Sequence, residues 1–187
     1  EVLANGQVDA VIINQQVRPG IHVERLRRCL KDLISRHPDT LWVTDSRDFS
    51  NDFTGSIRKL NEAEAVEALA LGGPPQTAAE VACQLFRRWR NPVFVTRGQR
   101  GCLACDDAGL IELPAPSLGE DTDAVGAGDA FLAGLTTALA VGSDLASAAL
   151  FGGLVAGVTV TKINRTGTAS PQEIGELARR QVEYHQQ

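Results

Sequence analysis

The sequence predicts an α/β protein, a three-layer α/β/α sandwich on a mostly parallel sheet. Two observations predict it. Short unbroken apolar runs, VDAVIIN (8–14), TLWVTD (40–45) and PVFVT (92–96), read as strands covered on both faces. Between and after them lie stretches whose apolar residues recur at helical spacing. Strands that alternate with helices pair as parallel βαβ units.

Each element follows from its residues. After the first strand, IHVERLRRCLKDLISRH (21–37) places Val23, Leu26, Leu30, Leu33 and Ile34 on one helical face. The second strand, 40–45, ends in Asp45, and SIRKL (56–60) forms a short third strand. NEAEAVEALAL (61–71) reads as a helix with Asn61 as N-cap and Glu64 three residues on, a capping-box spacing. LGGPPQ (71–76) reads as a loop within the domain, and Thr77 with Glu80 repeats the capping pattern before VACQLFRRWR. Strand 92–96 runs into a turn at Arg97–Gly101 and a hairpin to about Leu113. A glycine-rich turn then opens a helix at about 129–141 that stops at Gly142. Ser143 or Asp144 caps a buried helix over 145–161, and Ser170, Pro171 and Glu173 cap the last one. The 187 residues are expected to form a single domain, 1–187.

Composition narrows the function classes. Apolar content of 43% and charged content of 22% are those of a globular protein. A net charge of −5 without a dense basic run argues against nucleic acid or an anionic membrane as partner. No apolar stretch is long enough to span a bilayer, and no signal peptide is visible, so a cytoplasmic location is expected. Cys102 and Cys105 have C-x-x-C spacing, but a second ligand pair for zinc is not in sight. Strand–turn–strand with reduced, partly buried thiols is the preferred reading.

The segment DAVGAGDAF (123–131) carries the strongest chemical signal. Gly126, Ala127 and Gly128 let the backbone turn sharply and bring N–H groups close to a ligand. The following helix adds unpaired amides and the positive end of its dipole, a site for phosphate or a developing anion. Asp129 adds a carboxylate in the first turn, where its bland alternative is to complement the dipole. An anion cradle beside a base suits phosphoryl transfer to a hydroxyl. The turn matches neither G-x-G-x-x-G nor the P-loop pattern. In such sheets ligands bind beyond the carboxyl ends of the strands, so Asp45, Asn61, Thr96 and Asp129 are expected along one rim. Asp45 and Arg47 read equally as a surface ion pair, and the three histidines carry no assignment.

NEAE (61–64), TRGQRG (96–101), DAVGAGDAFLAGL and INRTGTASP (163–171), in this order, resemble the C-terminal half of the ribokinase-like carbohydrate kinases, the PfkB family. The resemblance implies that the γ-phosphoryl group of Mg–ATP is transferred to a sugar or sugar phosphate hydroxyl. Asp129 would be the base, and the N–H groups of Gly126, Ala127 and Gly128 the anion hole. Asn61 and Glu64 would organise Mg²⁺ through water, while Thr96, Gly98 and Gly101 line the nucleotide and Asn164 lies on its adenine side. Asp123 would sit where relatives hold a monovalent cation such as K⁺. Each glycine or capping residue also has a purely structural reading. Ala124 stands where the family usually has threonine, and the loop RTGTASP looks short for cation binding. The resemblance also implies a missing N-terminal substrate and lid portion, and therefore weak activity of the isolated chain. It leaves a homodimer, a nucleoside kinase and a non-catalytic nucleotide-binding or assembly module open.

Overall fold

The computed structural model describes residues 3, 6–17, 20–69, 77–119, 121–164 and 167–184. In chain order the elements are β1 (Ala10–Gln15), α1 (Glu24–Arg36), β2 (Leu41–Ser46), β3 (Ile57–Asn61), α2 (Glu62–Leu69), α3 (Ala78–Trp89), β4 (Val93–Thr96), β5 (Cys102–Asp106), β6 (Gly109–Leu113), α4 (Ala127–Ala140), α5 (Leu145–Val160) and α6 (Pro171–Tyr184). The expected order of elements is borne out, with ends displaced by one to three residues. Among the described residues the strands form one sheet in the order β1-β2-β3-β4-β5-β6, flanked by helices. β1 to β4 pair in parallel. The loop 71–76 and His185 lie outside the described residues, as do Arg165 and Thr166 of the loop 163–171 and much of the opening segment.

The chain divides into two compact units. One comprises Glu1–Arg97 and Leu103–Ile111, the other Gly98–Cys102 and Glu112–Gln187.

The first unit contains most of the sheet. The register sets Trp42, Thr44, Arg58, Leu60, Val93 and Val95 on one face. Against that face pack Ile34 of α1 and Ala65, Leu69, Val81, Leu85 and Trp89 of α2 and α3, in two buried clusters. Val43 and Phe94, on the opposite face, are also fully buried, as continuous apolar runs imply. The run SIRKL hides something unexpected. Arg58 is fully buried, with its guanidinium over the Trp89 ring at 5.0 Å. Its Nε donates to Ser50 O at 3.2 Å and its Nη1 donates to Ser56 O, which ties the 47–56 connection to the sheet. Burial pulls its pKa down to about 10, because the charged form loses hydration.

In the second unit α4 and α5 meet through glycines. A Cβ on Gly152 would lie 2.9 Å from Phe131 O, and one on Gly134 would lie 3.0 Å from Gly152 Cα. Such backbone contact is why α5 is rich in Gly and Ala rather than large apolar residues. Asp144, not Ser143, caps α5 and accepts from Ser147 N at 2.9 Å. No helix among the described residues is long and apolar enough to cross a membrane.

Candidate active site

In the first unit, residues at the carboxyl ends of β2, β3 and β4 come together. Asn61 and Thr96 are register partners on β3 and β4. Asn61 Oδ1 accepts from Glu64 N, and Glu64 Oε2 accepts from Asn61 N, both at 2.9 Å. The N-x-x-E pattern therefore closes as a capping box, and the structural role expected for it is present. Glu64 is buried, and its second oxygen lies 3.8 Å from Arg47 Nε. Thr96 Oγ1 donates to Leu60 O at 3.2 Å.

Asp45 differs from its surface-pair reading. It is 2% exposed and pairs with Lys59 Nζ at 2.7 Å across β2 and β3. The reason is register: Thr44 faces Arg58, so the next residues along, Asp45 and Lys59, stand side by side on the opposite face. A buried pair of this kind holds only when both charges are present and well oriented. Past the ends of β1 and β2, an open cleft of about 420 Å³ is lined by Gln16, Val17, Arg47, Asp48 and Glu67. The buried Gln15 side chain lies beside it, donating to Asp48 Oδ2 at 2.8 Å.

The second unit carries two glycine turns. Gly98 and Gly101 both have positive φ, 59° and 83°. A short 3-10 turn spans Gly98–Arg100, closed by Gly101 N donating to Gly98 O at 3.0 Å. The other turn precedes α4. Gly126 is its N-cap with φ 79°, and helix begins at Ala127 rather than near 129. The left-handed cap lets the helix start earlier, so Ala127, Gly128 and Asp129 occupy the first turn. Ala127 N donates to Ala124 O at 3.2 Å, closing the turn. Ala130 N is the first amide with an intrahelical acceptor, Gly126 O at 2.9 Å. The first turn of α4 is the positive end of the helix dipole.

Asp123 braces this turn. Its Oδ1 accepts from Val125 N at 3.0 Å and its Oδ2 accepts from Asn164 N at 3.2 Å. Asp123 N donates to Val160 O at 2.8 Å. Asn164 has φ 58°, the left-handed conformation that Asn tolerates, so its backbone receives the brace. Asp123 thus ties the turn before α4 to Asn164, beyond the end of α5.

The sequence profile described as the pfkB family carbohydrate kinase matches residues 55–173 of this chain, which contain both the N-x-x-E helix start and the α4 turn. The chain belongs to the pfkB family. It is 30% identical over 173 residues to the Bifunctional protein HldE of Caulobacter sp. (strain K31), covering 90% of this chain and 35% of that protein. It is 38% identical over 73 residues to Inositol 3-kinase of Arabidopsis thaliana, covering 39% of this chain and 20% of that one. Two solved structures share the fold. Phosphofructokinase-2 from Escherichia coli in complex with potassium superposes with a TM-score of 0.76 at 18% identity, over 96% of this chain and 60% of that one. Ribokinase from Arabidopsis thaliana complexed with ribose and ATP superposes with a TM-score of 0.75 at 16% identity, over 90% and 55%. The chain thus spans about a third of the first of these curated relatives and somewhat over half of these solved structures.

Membership in the pfkB family makes the ligand chemistry of these residues worth testing against the structure. Asn61 and Glu64 present hard oxygen donors, one of them a carboxylate, and no group of three His, Cys, Asp or Glu side chains that could hold a metal occurs among the described residues. That donor set fits Mg²⁺, which keeps several waters and takes one or two carboxylates plus phosphates rather than an all-protein cage. Two features were not foreseen from the sequence: the Asp45–Lys59 pair and the Asp123–Asn164 brace. The alternation in SIRKL gave a signal for Lys59, because every second residue of a strand shares a face. The other depends on how the chain turns.

Proposed function

We propose that this pfkB-family chain carries the phosphoryl-transfer machinery of an ATP-dependent kinase acting on a hydroxyl of a sugar or sugar phosphate. The observation that carries the reading is the start of α4. Gly126 turns the chain into a helix that carries the Asp129 carboxylate in its first turn. The positive end of a helix dipole favours negative charge on a migrating phosphoryl group. A single oxyanion donor is worth ~10²–10³ in rate. Gly126, Ala127 and Gly128 hold the phosphoryl oxygens through their N–H groups. The Asp129 side chain accepts the proton of the acceptor hydroxyl.

Other residues position. Asn61 and Glu64 would hold Mg²⁺ through water, and the ion when bound neutralises phosphate charge. The Glu64 carboxylate stays oriented because its own Oε2 is held by Asn61 N. Gly98 and Gly101 present a backbone turn to the nucleotide, with Thr96 before it. Asp123 fixes the pitch of the α4 turn and, with one oxygen freed, would face a monovalent cation. The protein acts on a small molecule, and the activity is that of the chain together with whatever else forms the complete sugar site.

The test is Asp129→Asn in the full-length protein. It keeps shape and removes the base, so turnover falls by ~10²–10⁴ while nucleotide affinity, read by calorimetry, stays within a few fold. Unchanged turnover sinks the role of Asp129. Nucleotide binding with no turnover in the unmodified protein identifies a non-catalytic binding module instead.

A further inference from the structure

Cys83 and Cys105 take no part in the site described above. Cys83 stands half-buried on α3 and Cys105 buried on β5, with their Sγ atoms 3.7 Å apart. Both belong to the first unit and pack in one cluster with Val81, Leu85 and Leu103. Two sulfurs in contact are too few for zinc, which takes four ligands in structural sites. They are enough for a two-electron exchange. A disulfide needs an S–S distance near 2.05 Å, so the sulfurs must close by roughly 1.7 Å, within reach of a side-chain rotation on the outer helix. Cys102 does not compete by position. It lies three residues from Cys105 on the same strand and so points to the other face. Cys29 is exposed on α1.

We propose that Cys83 and Cys105 form a reversible disulfide that clamps α3 to β5, made by exchange with a small-molecule disulfide. Environment sets the order of attack. Burial, with Cys83 alongside, pushes the Cys105 thiol up to about 12, so it is not the first nucleophile. The Cys83 thiolate attacks one sulfur of the small disulfide, forming a mixed disulfide and releasing one thiolate. That thiolate, or water, takes the Cys105 proton. Cys105 sulfur then attacks Cys83 sulfur and releases the second thiolate. Two protein thiols are oxidised to one disulfide, and one small disulfide is reduced to two thiols. A dithiol reductant runs the sequence backwards. The bond closes a loop of chain between α3 and β5, which restricts the unfolded state.

The experiment uses the unmodified protein with oxidised glutathione. The expected result is a mass loss of about two daltons, a peptide linkage joining Cys83 to Cys105, and a raised Tm that dithiothreitol reverses. Cys83→Ser and Cys105→Ser, each separately, abolish the linkage and the Tm rise, whereas Cys102→Ser keeps both. Glutathione left as a stable adduct on Cys83 overturns the proposal, since Cys105 would then be unable to reach it. A linkage through Cys102, or no loss of thiols on α3 and β5, overturns it as well.

Discussion

Gly98 and Gly101 share a left-handed backbone but not the reason for being glycine. A Cβ on Gly101 would sit 2.0 Å from Leu113 O and 2.7 Å from Ala115 N, so the chain on the far side must move. A Cβ on Gly98 meets nothing within 4 Å. Gly98→Ala therefore costs only the left-handed strain, ~1–2 kcal/mol, while Gly101→Ala adds a backbone clash and costs more than ~3 kcal/mol. Denaturant unfolding of both variants checks the difference, and equal losses would show that the 98–101 turn shifts freely. Both glycines were legible in TRGQRG as turn residues, but nothing in the sequence separates them. The distinction depends on Leu113–Ala115, more than ten residues away along the chain. Asn61 and Glu64 show the opposite case. Their spacing alone predicts the capping box, and the two 2.9 Å bonds are there. Because both partners are four residues apart at most, local sequence decides the contact.

At the scale of elements, α6 depends on one carboxylate. Glu173 Oε2 accepts from Ser170 N and Ser170 Oγ at 2.8 Å, and Oε1 pairs with Lys162 Nζ at 2.7 Å. The hydrogen bond from Lys162, followed by those from Ser170, holds Glu173 down to about 2 from an ordinary 4.5. The unfolded chain then takes up the proton more readily than the folded one. The contribution of Glu173 to stability is fully present above pH 4.5 and fades as pH falls towards 2. The protection factors of α6 amides, taken relative to the intrinsic exchange rate at each pH, fall as pH drops across that range in the native protein, and the acid-dependent part disappears in Glu173→Gln. An unchanged pH profile in the variant would remove Glu173 as its source. The Ser170–Pro171–Glu173 cap was legible because all of it is local. Lys162 was not, since it arrives from the end of α5 across a segment whose course the sequence does not reveal. The α4–α5 pair makes the same point. Gly and Ala in 145–160 suggested a buried helix, but only packing shows Gly152 set against Phe131 O.

Over the whole molecule, the expected site residues fall into both compact units: Asn61, Glu64 and Thr96 in one, Gly98, Gly101, Asp123, Gly126–Asp129 and Asn164 in the other. Mg–ATP added to the full-length protein is expected to slow amide exchange at 126–129. No protection there would count against the kinase reading. The α/β class, the order of strands and helices, the caps and the family were all determined by the sequence. They rest on periodicity, on capping spacings and on a short glycine motif, each readable within about a dozen residues. Tertiary structure decided the rest. Strand register buried Asp45 against Lys59 rather than leaving it exposed, and placed the Arg58 guanidinium over the Trp89 ring. A left-handed Gly126 started α4 at Ala127, earlier than the sequence placed it. The sulfurs of Cys83 and Cys105 met across 22 residues of chain. Those contacts join residues far apart in sequence, and their partners are set by how strands pair and helices pack, which no local pattern records.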